Sequence, residues 1–190
     1  VDVDAAVNLV QEFDEEKAFV IIKHTNACGV ATGSTVKEAY MKALQADTIS
    51  AFGGVLATNQ PIDETAAEEI NKLFFEILIA PAFDEKALAI LKSRKNRMIL
   101  VQKKKLTETK QCKSILNGII EQDLDLKTDS REDLKLMTKR APTESETEAL
   151  LFASKICKHT KSNTIILAVN GQLLASGVGQ TSRVDALKQA

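Results

Sequence analysis

Lys23-His24-Thr25-Asn26 sets an ammonium, an imidazole and a carboxamide directly after the apolar run Phe19-Val20-Ile21-Ile22. Histidine is the side chain whose unperturbed pKa suits proton transfer near neutral pH. A lysine beside it adds fixed positive charge for an anionic intermediate or a phosphate. Only two histidines occur in the chain. Taken alone, the segment also reads as an ordinary polar loop. Ser50-Ala51-Phe52-Gly53-Gly54 sets an aromatic face beside accessible backbone, which suits a flat ligand; the plainer reading is a core Phe beside a bulge. Gly177-Val178-Gly179-Gln180-Thr181-Ser182-Arg183 opens a helix, where free N–H groups and an arginine could take an anion. Its spacing fits neither the dinucleotide fingerprint nor a P-loop, and a simple turn and cap competes. Cys28 could be a nucleophile, though a small residue packed beside Gly29 fits better. No H-x-E, H-E-x-x-H or C-x-x-C set offers metal ligands, so no catalytic metal is expected.

These segments need strands and helices to position them. Ala6, Val10 and Phe13 recur at helical spacing, and Phe19–Ile22 reads as a buried strand. Residues 23–33 are expected to form the loop after it. Thr35 with Glu38 predicts a capped helix to about Ala46. A strand follows within 49–58, interrupted at Gly53-Gly54. A helix over 63–73, a strand over 75–80, a helix over 84–95 and a strand over 98–101 come next. The stretch 103–113 reads as a solvated polar connection, Ile119-Ile120 as the centre of a strand, and 123–131 as linker. Thr143 with Glu146 opens a helix to about His159. Thr164–Val169 and Leu173–Ala175 flank the turn signal Asn170-Gly171. Ser182 with Asp185 caps a last helix. Lys23-His24-Thr25 recurs as Lys158-His159-Thr160, read as coincidence because one follows a strand and the other ends a helix. Short apolar strands alternating with amphipathic helices give an α/β fold with a partly parallel sheet.

Composition limits the function classes. The 190 residues carry 25 Lys+Arg against 26 Asp+Glu, a net charge of −1. That balance disfavours a general nucleic-acid or anionic-membrane surface. No uncharged run reaches the roughly 20 apolar residues of a membrane span. No basic segment leads into an apolar run at the start, so no signal peptide is expected. Three cysteines, Cys28, Cys112 and Cys157, form no framework and fit a reducing cytoplasm. Val1 in place of Met, with helical patterns at both ends, reads as a piece of a longer protein.

Five ordered motifs resemble one family. They are Ile22-Lys23-His24-Thr25-Asn26-Ala27-Cys28-Gly29-Val30-Ala31; Ser50-Ala51-Phe52-Gly53-Gly54; Ile79-Ala80-Pro81 with Ala87-Leu88-x-Ile90-Leu91-Lys92; Thr138-Lys139-Arg140-Ala141-Pro142-Thr143; and Lys161-Ser162-Asn163 through Gly179-Gln180-x-Ser182-Arg183-Val184. Together, over essentially the whole chain, they resemble the transformylase part of the bifunctional purine biosynthesis enzymes. Those enzymes join AICAR (5-aminoimidazole-4-carboxamide ribonucleotide) transformylase to IMP cyclohydrolase.

The resemblance implies a cytidine-deaminase-like, three-layer α/β/α fold in two similar lobes, without zinc. Residues 1–125 would form the first lobe and 126–190 the start of an incomplete second. It implies formyl transfer from the co-substrate 10-formyltetrahydrofolate to the 5-amino group of AICAR, in a homodimer. His24 would take the proton of the attacking amine, Lys23 would stabilise the tetrahedral intermediate, and Asn163 would position the amine. Asn26, Phe52, Gly53 and Glu76 would contact AICAR; members vary between Glu and Asp at position 76. Gly179, Gln180, Arg183 and Val184 would lie at the folate side. Ala27 and Thr48 stand where many members have proline. The cyclohydrolase domain, an arginine ahead of the Lys-His strand, and a later half with a Phe-Phe-Pro-Phe-x-Asp folate motif are not in these residues. The chain alone is therefore expected to be inactive. A non-catalytic nucleotide-binding module and a zinc-free deaminase relative are the competing readings.

Overall fold

Alternation along the first long strand sets the architecture. In β1 (Lys17–Lys23), Phe19 and Ile21 point to one side and Val20 and Ile22 to the other, and all four are buried. A strand buried on both faces must lie inside a layered fold. The computed structural model describes residues 1–107 and 109–190. In it β1 is central to a seven-stranded sheet with helices on both sides.

The chain enters through α1 (Asp2–Val10) and a 3-10 turn (Gln11–Phe13), then forms β1 and β2 (Asn26–Gly33). It continues through α2 (Val36–Ala46), β3 (Gly54–Thr58), α3 (Glu64–Ile70), β4 (Phe75–Ala80), α4 (Glu85–Lys92) and β5 (Met98–Val101). A separate hairpin of β6 (Lys110–Ile115) and β7 (Gly118–Asp123) precedes a 3-10 turn at Arg131–Asp133. The chain ends with α5 (Glu144–Lys158), β8 (Ile165–Val169), β9 (Gln172–Gly177) and α6 (Arg183–Gln189). Sheet order is β5-β4-β3-β1-β2-β9-β8. Strands β3, β4 and β5 run parallel, and the other pairings in this sheet are antiparallel. The fold is α/β, as the alternation of strands and helices predicts.

One core joins Phe19, Ile21, Leu56 and Leu78 of the sheet to Tyr40 and Ala43 of α2, Ile70 of α3 and Leu91 of α4. The other joins Val20, Ile22, Val55 and Ile79 to Leu9 and Val10 of α1, with Phe13, Phe152 and Ile156. The caps legible in the sequence form. The Thr35 hydroxyl accepts from Glu38 N, the Ser182 hydroxyl from Asp185 N, and Thr143 with Glu146 makes a full reciprocal box. Glu38 departs from the reciprocal pattern: its carboxylate accepts from Ser34 N and Oγ instead.

Three expectations change. Residues 23–33 are not one loop, because the chain reverses within two residues and returns as β2. Gly29 and Gly33 suggest a loop in the sequence but serve packing: a Cβ on Gly29 would stand 2.3 Å from the Ala43 carbonyl oxygen of α2. The strand within 49–58 starts only at Gly54, since Asp47 Oδ1 accepts from Ile49 N and Ser50 N and holds a turn. The polar stretch 103–113 is partly strand, in β6, although every residue of the β6–β7 hairpin is exposed. The residues after 125 add to the first sheet: β9 pairs with β2 at Ala31–Gln172, and Thr32 N donates to Gly171 O.

Candidate functional site

The Lys23–Asn26 turn is a two-residue hairpin closed by a Lys23–Asn26 pair. Both central residues, His24 (φ 48°) and Thr25 (φ 66°), adopt left-handed backbone. Such turns match the twist of the strands but favour Asn and Gly. A β-branched Thr there costs about 1–3 kcal/mol, and sequences retain such strain where the surrounding structure or a function requires it. The turn presents the exposed His24 at the tip. The His24 carbonyl accepts from Thr25 Oγ1 at 2.6 Å and Asn26 Nδ2 at 3.2 Å, which leaves the imidazole uninvolved in fixing the turn. Asn26 Oδ1 is buried with no protein partner.

A second turn comes to meet this one. Lys23 Nζ donates to the Phe52 carbonyl at 2.5 Å. Gly53 follows with φ +67°, and a Cβ there would lie 3.2 Å from Lys23 Nζ, 3.8 Å from Phe74 Cε1 and 3.9 Å from Glu76 Oε1. The absence of a side chain at Gly53 therefore opens space bounded by an ammonium, an aromatic edge and a carboxylate. The Phe52 ring is 61% exposed and lies 5.1 Å from the Phe74 ring, tilted at 41°. Lys23, Phe52, Gly53 and Glu76 are thus brought together. Phe74 was not legible as part of this group. Its one signal is the Phe74-Phe75 pair at a strand start, where alternation sends one ring inward and the other out.

The other predicted residues form a second group. Asn163 exchanges backbone bonds with Gln180, and its Nδ2 donates to Gln180 O and Thr181 O, each at 3.2 Å. Gly179 takes φ +70° and faces open space, and its N–H donates to Lys161 O. Gln180 Nε2 closes the loop on Val178 O. Arg183 and Val184 stand exposed on the first turn of α6. The Asn163 amide protons therefore serve this loop. Among the described residues no hydrogen bond, ion pair or ring contact joins this group to Lys23, His24 or Phe52. The two groups do share one end of the sheet. Asn26 and Gly177 stand equally far along their strands from the Ala31–Gln172 bridge, and Ile165 pairs with Gly177.

Other chemistry is placed elsewhere. Burial pushes the Cys28 thiol up to about 12, with Asp47 adding to it, so Cys28 is a packing residue and not a thiolate nucleophile. A cavity of about 470 Å³ lies at the opposite end of the sheet, lined by Glu12, Glu16, Asp129, Phe152, Lys155 and Asn170, and holds none of the predicted site residues. Beside it, Glu12 Oε1 lies 2.8 Å from both Lys158 Nζ and His159 Nε2, and Thr128 Oγ1 donates to Oε2 at 2.6 Å. Burial pushes Glu12 up, but these partners outweigh it and hold the carboxyl at about 2. Among the described residues no cluster of His, Cys, Asp and Glu is placed to hold a metal ion. No helix among them is long and apolar enough to cross a membrane.

The sequence model of the AICARFT/IMPCHase bienzyme family matches residues 1–190. The bifunctional purine biosynthesis protein PurH of Bacteroides thetaiotaomicron is 57% identical over 189 residues, covering 100% of this chain and 37% of that protein. PurH of Chlorobium phaeobacteroides strain BS1 is 50% identical, and PurH of Chlorobium chlorochromatii 49%, each covering 100% of this chain and 36% of the relative. The chain thus spans little more than a third of the length of these relatives. Among solved structures, a dCMP deaminase from cyanophage S-TIM5 aligns with a TM-score of 0.44 at 7% identity, over 52% of this chain and 95% of that one. On the full-length family match and these identities, the chain belongs to the AICARFT/IMPCHase bienzyme family.

Proposed function

We propose that this chain carries the Lys-His half of an AICAR formyltransferase site, within a bifunctional enzyme of purine biosynthesis. The observation that carries the reading is the meeting of the two turns. Lys23 is held on the Phe52 carbonyl, His24 stands free at the strained tip, and the Phe52 ring and Gly53 lie open alongside. A pure binding module has no need of an unengaged imidazole at that position.

In this reading the AICAR ring lies on Phe52, with its edge at Gly53 and Asn26 Oδ1. Glu76 faces the nucleotide side. The 5-amino nitrogen attacks the formyl carbon of 10-formyltetrahydrofolate, and His24 takes the proton that this nitrogen loses. Lys23 stabilises the oxyanion of the tetrahedral intermediate. The bond from the formyl carbon to folate N10 then breaks, and N10 leaves with the proton that His24 returns. The AICAR amine is conjugated with its ring and weakly nucleophilic, so a placed base and oxyanion support both help. Asn163 acts through the Gly179–Gln180 loop, and Arg183 and Val184 form the folate side. The enzyme works as a cytoplasmic homodimer without a catalytic metal, and the 190 residues alone do not turn over. The test is formyl transfer to AICAR by a protein of the relatives' length carrying this chain, before and after His24→Ala. Retained turnover with lost AICAR affinity would reassign the site to binding alone.

A further inference from the structure

We propose that Phe74 is a positioning residue for nucleotide binding, setting the angle and stiffness of the Phe52 face. The inference rests on the reading that Phe52 carries the planar ring of AICAR.

The Lys23 bond fixes the Phe52 carbonyl but not its ring. Phe52 is 61% exposed, and its own N–H reaches Ile49 O only at 3.3 Å. The Phe74 ring 5.1 Å away is the aromatic partner that limits its motion. The Phe74 carbonyl also accepts from Gly53 N at 2.8 Å, so one residue braces both the ring and the open backbone beside it.

Phe74 is itself unusually well held for a residue at a strand entrance. The Phe75 side chain is fully buried, with the Arg97 guanidinium 4.1 Å above its ring. The same guanidinium donates to Asn71 Oδ1 and Leu73 O, both at 2.6 Å. The chain is thus pinned on each side of Phe74, and strand alternation turns the Phe74 ring away from that core. A planar ligand on Phe52 meets a platform whose tilt is already chosen, so less ordering remains to be done on binding.

The test compares AICAR affinity by calorimetry, with KM and kcat for formyl transfer, in a protein of the relatives' length. Phe74→Ala should weaken AICAR binding about three- to tenfold, the range an aromatic pair supplies, with kcat within about twofold. Phe74→Tyr should restore affinity, and Phe74→Leu, which keeps most of the packing volume, should remain weak. In a Phe52→Ala background Phe74→Ala should add little, because the face it positions is gone. Weakening by Phe52→Ala with full affinity in Phe74→Ala and Phe74→Leu would overturn the proposal. So would full rescue by Phe74→Leu. Full affinity in Phe52→Ala itself would overturn the underlying reading instead.

Discussion

The Lys23 ammonium donates to the main-chain carbonyl of Phe52, 29 positions later in the sequence. This bond joins the tip of the β1–β2 hairpin to the turn before β3, and it ties a charged group to the backbone beneath an exposed aromatic ring. Charge position and ring position are therefore coupled here.

Gly53 tests that coupling. Gly53→Ala places a methyl 3.2 Å from Lys23 Nζ at a φ of +67°. The left-handed backbone alone costs about 1–2 kcal/mol for an L-residue. We expect a folded enzyme with lower kcat and weaker AICAR binding, read by steady-state kinetics and calorimetry. Unchanged values for both would show that the space above Gly53 is not used.

Much of this site was legible in the sequence because it depends on local pattern. Lys23, Phe52 and Gly53 each follow or precede an apolar strand, and strand ends gather at sheet edges. The caps at Thr35, Thr143 and Ser182 are equally local, whereas Glu76 came only from the family resemblance. What failed was long-range packing. The segment around Gly29 reads as loop because nothing near it in sequence announces the Ala43 carbonyl against which it packs. The bonds from Asn163 to Gln180 and Thr181 join segments a hairpin apart, which local pattern does not announce. Nothing in the local pattern singles out Phe74. Its outward turn depends on Arg97 holding its neighbours, a contact between distant segments.

Gly177 should be intolerant of any side chain. A Cβ there would lie 1.8 Å from the Ala186 carbonyl oxygen, so α6 would have to move off β9. Overpacking of this kind costs about 1–3 kcal/mol, and more where the clash is with backbone. Gly177→Ala should lower the midpoint of thermal unfolding, whereas Gly179→Ala, with open space around it, should suffer mainly from its φ of +70°. Equal stability of Gly177→Ala and wild type would contradict the tight β9–α6 packing.

Asn163→Ala removes both donors to the Gln180 and Thr181 carbonyls. A loss of about 1–2 kcal/mol in stability follows from ordinary hydrogen-bond energetics. Chemical denaturation reads it directly. A variant as stable as wild type would show that this side chain does not brace the loop.

Glu12 predicts an acid limb. Its folded pKa of about 2 lies below the ordinary value of 4.5. The contribution is therefore complete above pH 4.5 and is lost as pH falls from 4.5 toward 2. Its size is about 2 kcal/mol after allowance for partial exposure. Thermal unfolding from pH 6 to pH 3 should show this limb, and Glu12→Gln should flatten it. An identical slope in the variant would remove Glu12 from the acid response.

The proposed function depends above all on His24 acting as a base at a nucleotide site. The most direct measurement pairs single-turnover formyl transfer with AICAR affinity in His24→Ala, in a protein of the relatives' length. General-base loss costs about 10²- to 10⁴-fold in rate, while a group acting only in the transition state leaves ground-state affinity nearly unchanged. We predict that split. Wild-type turnover in His24→Ala, or a fall confined to AICAR affinity, would contradict it.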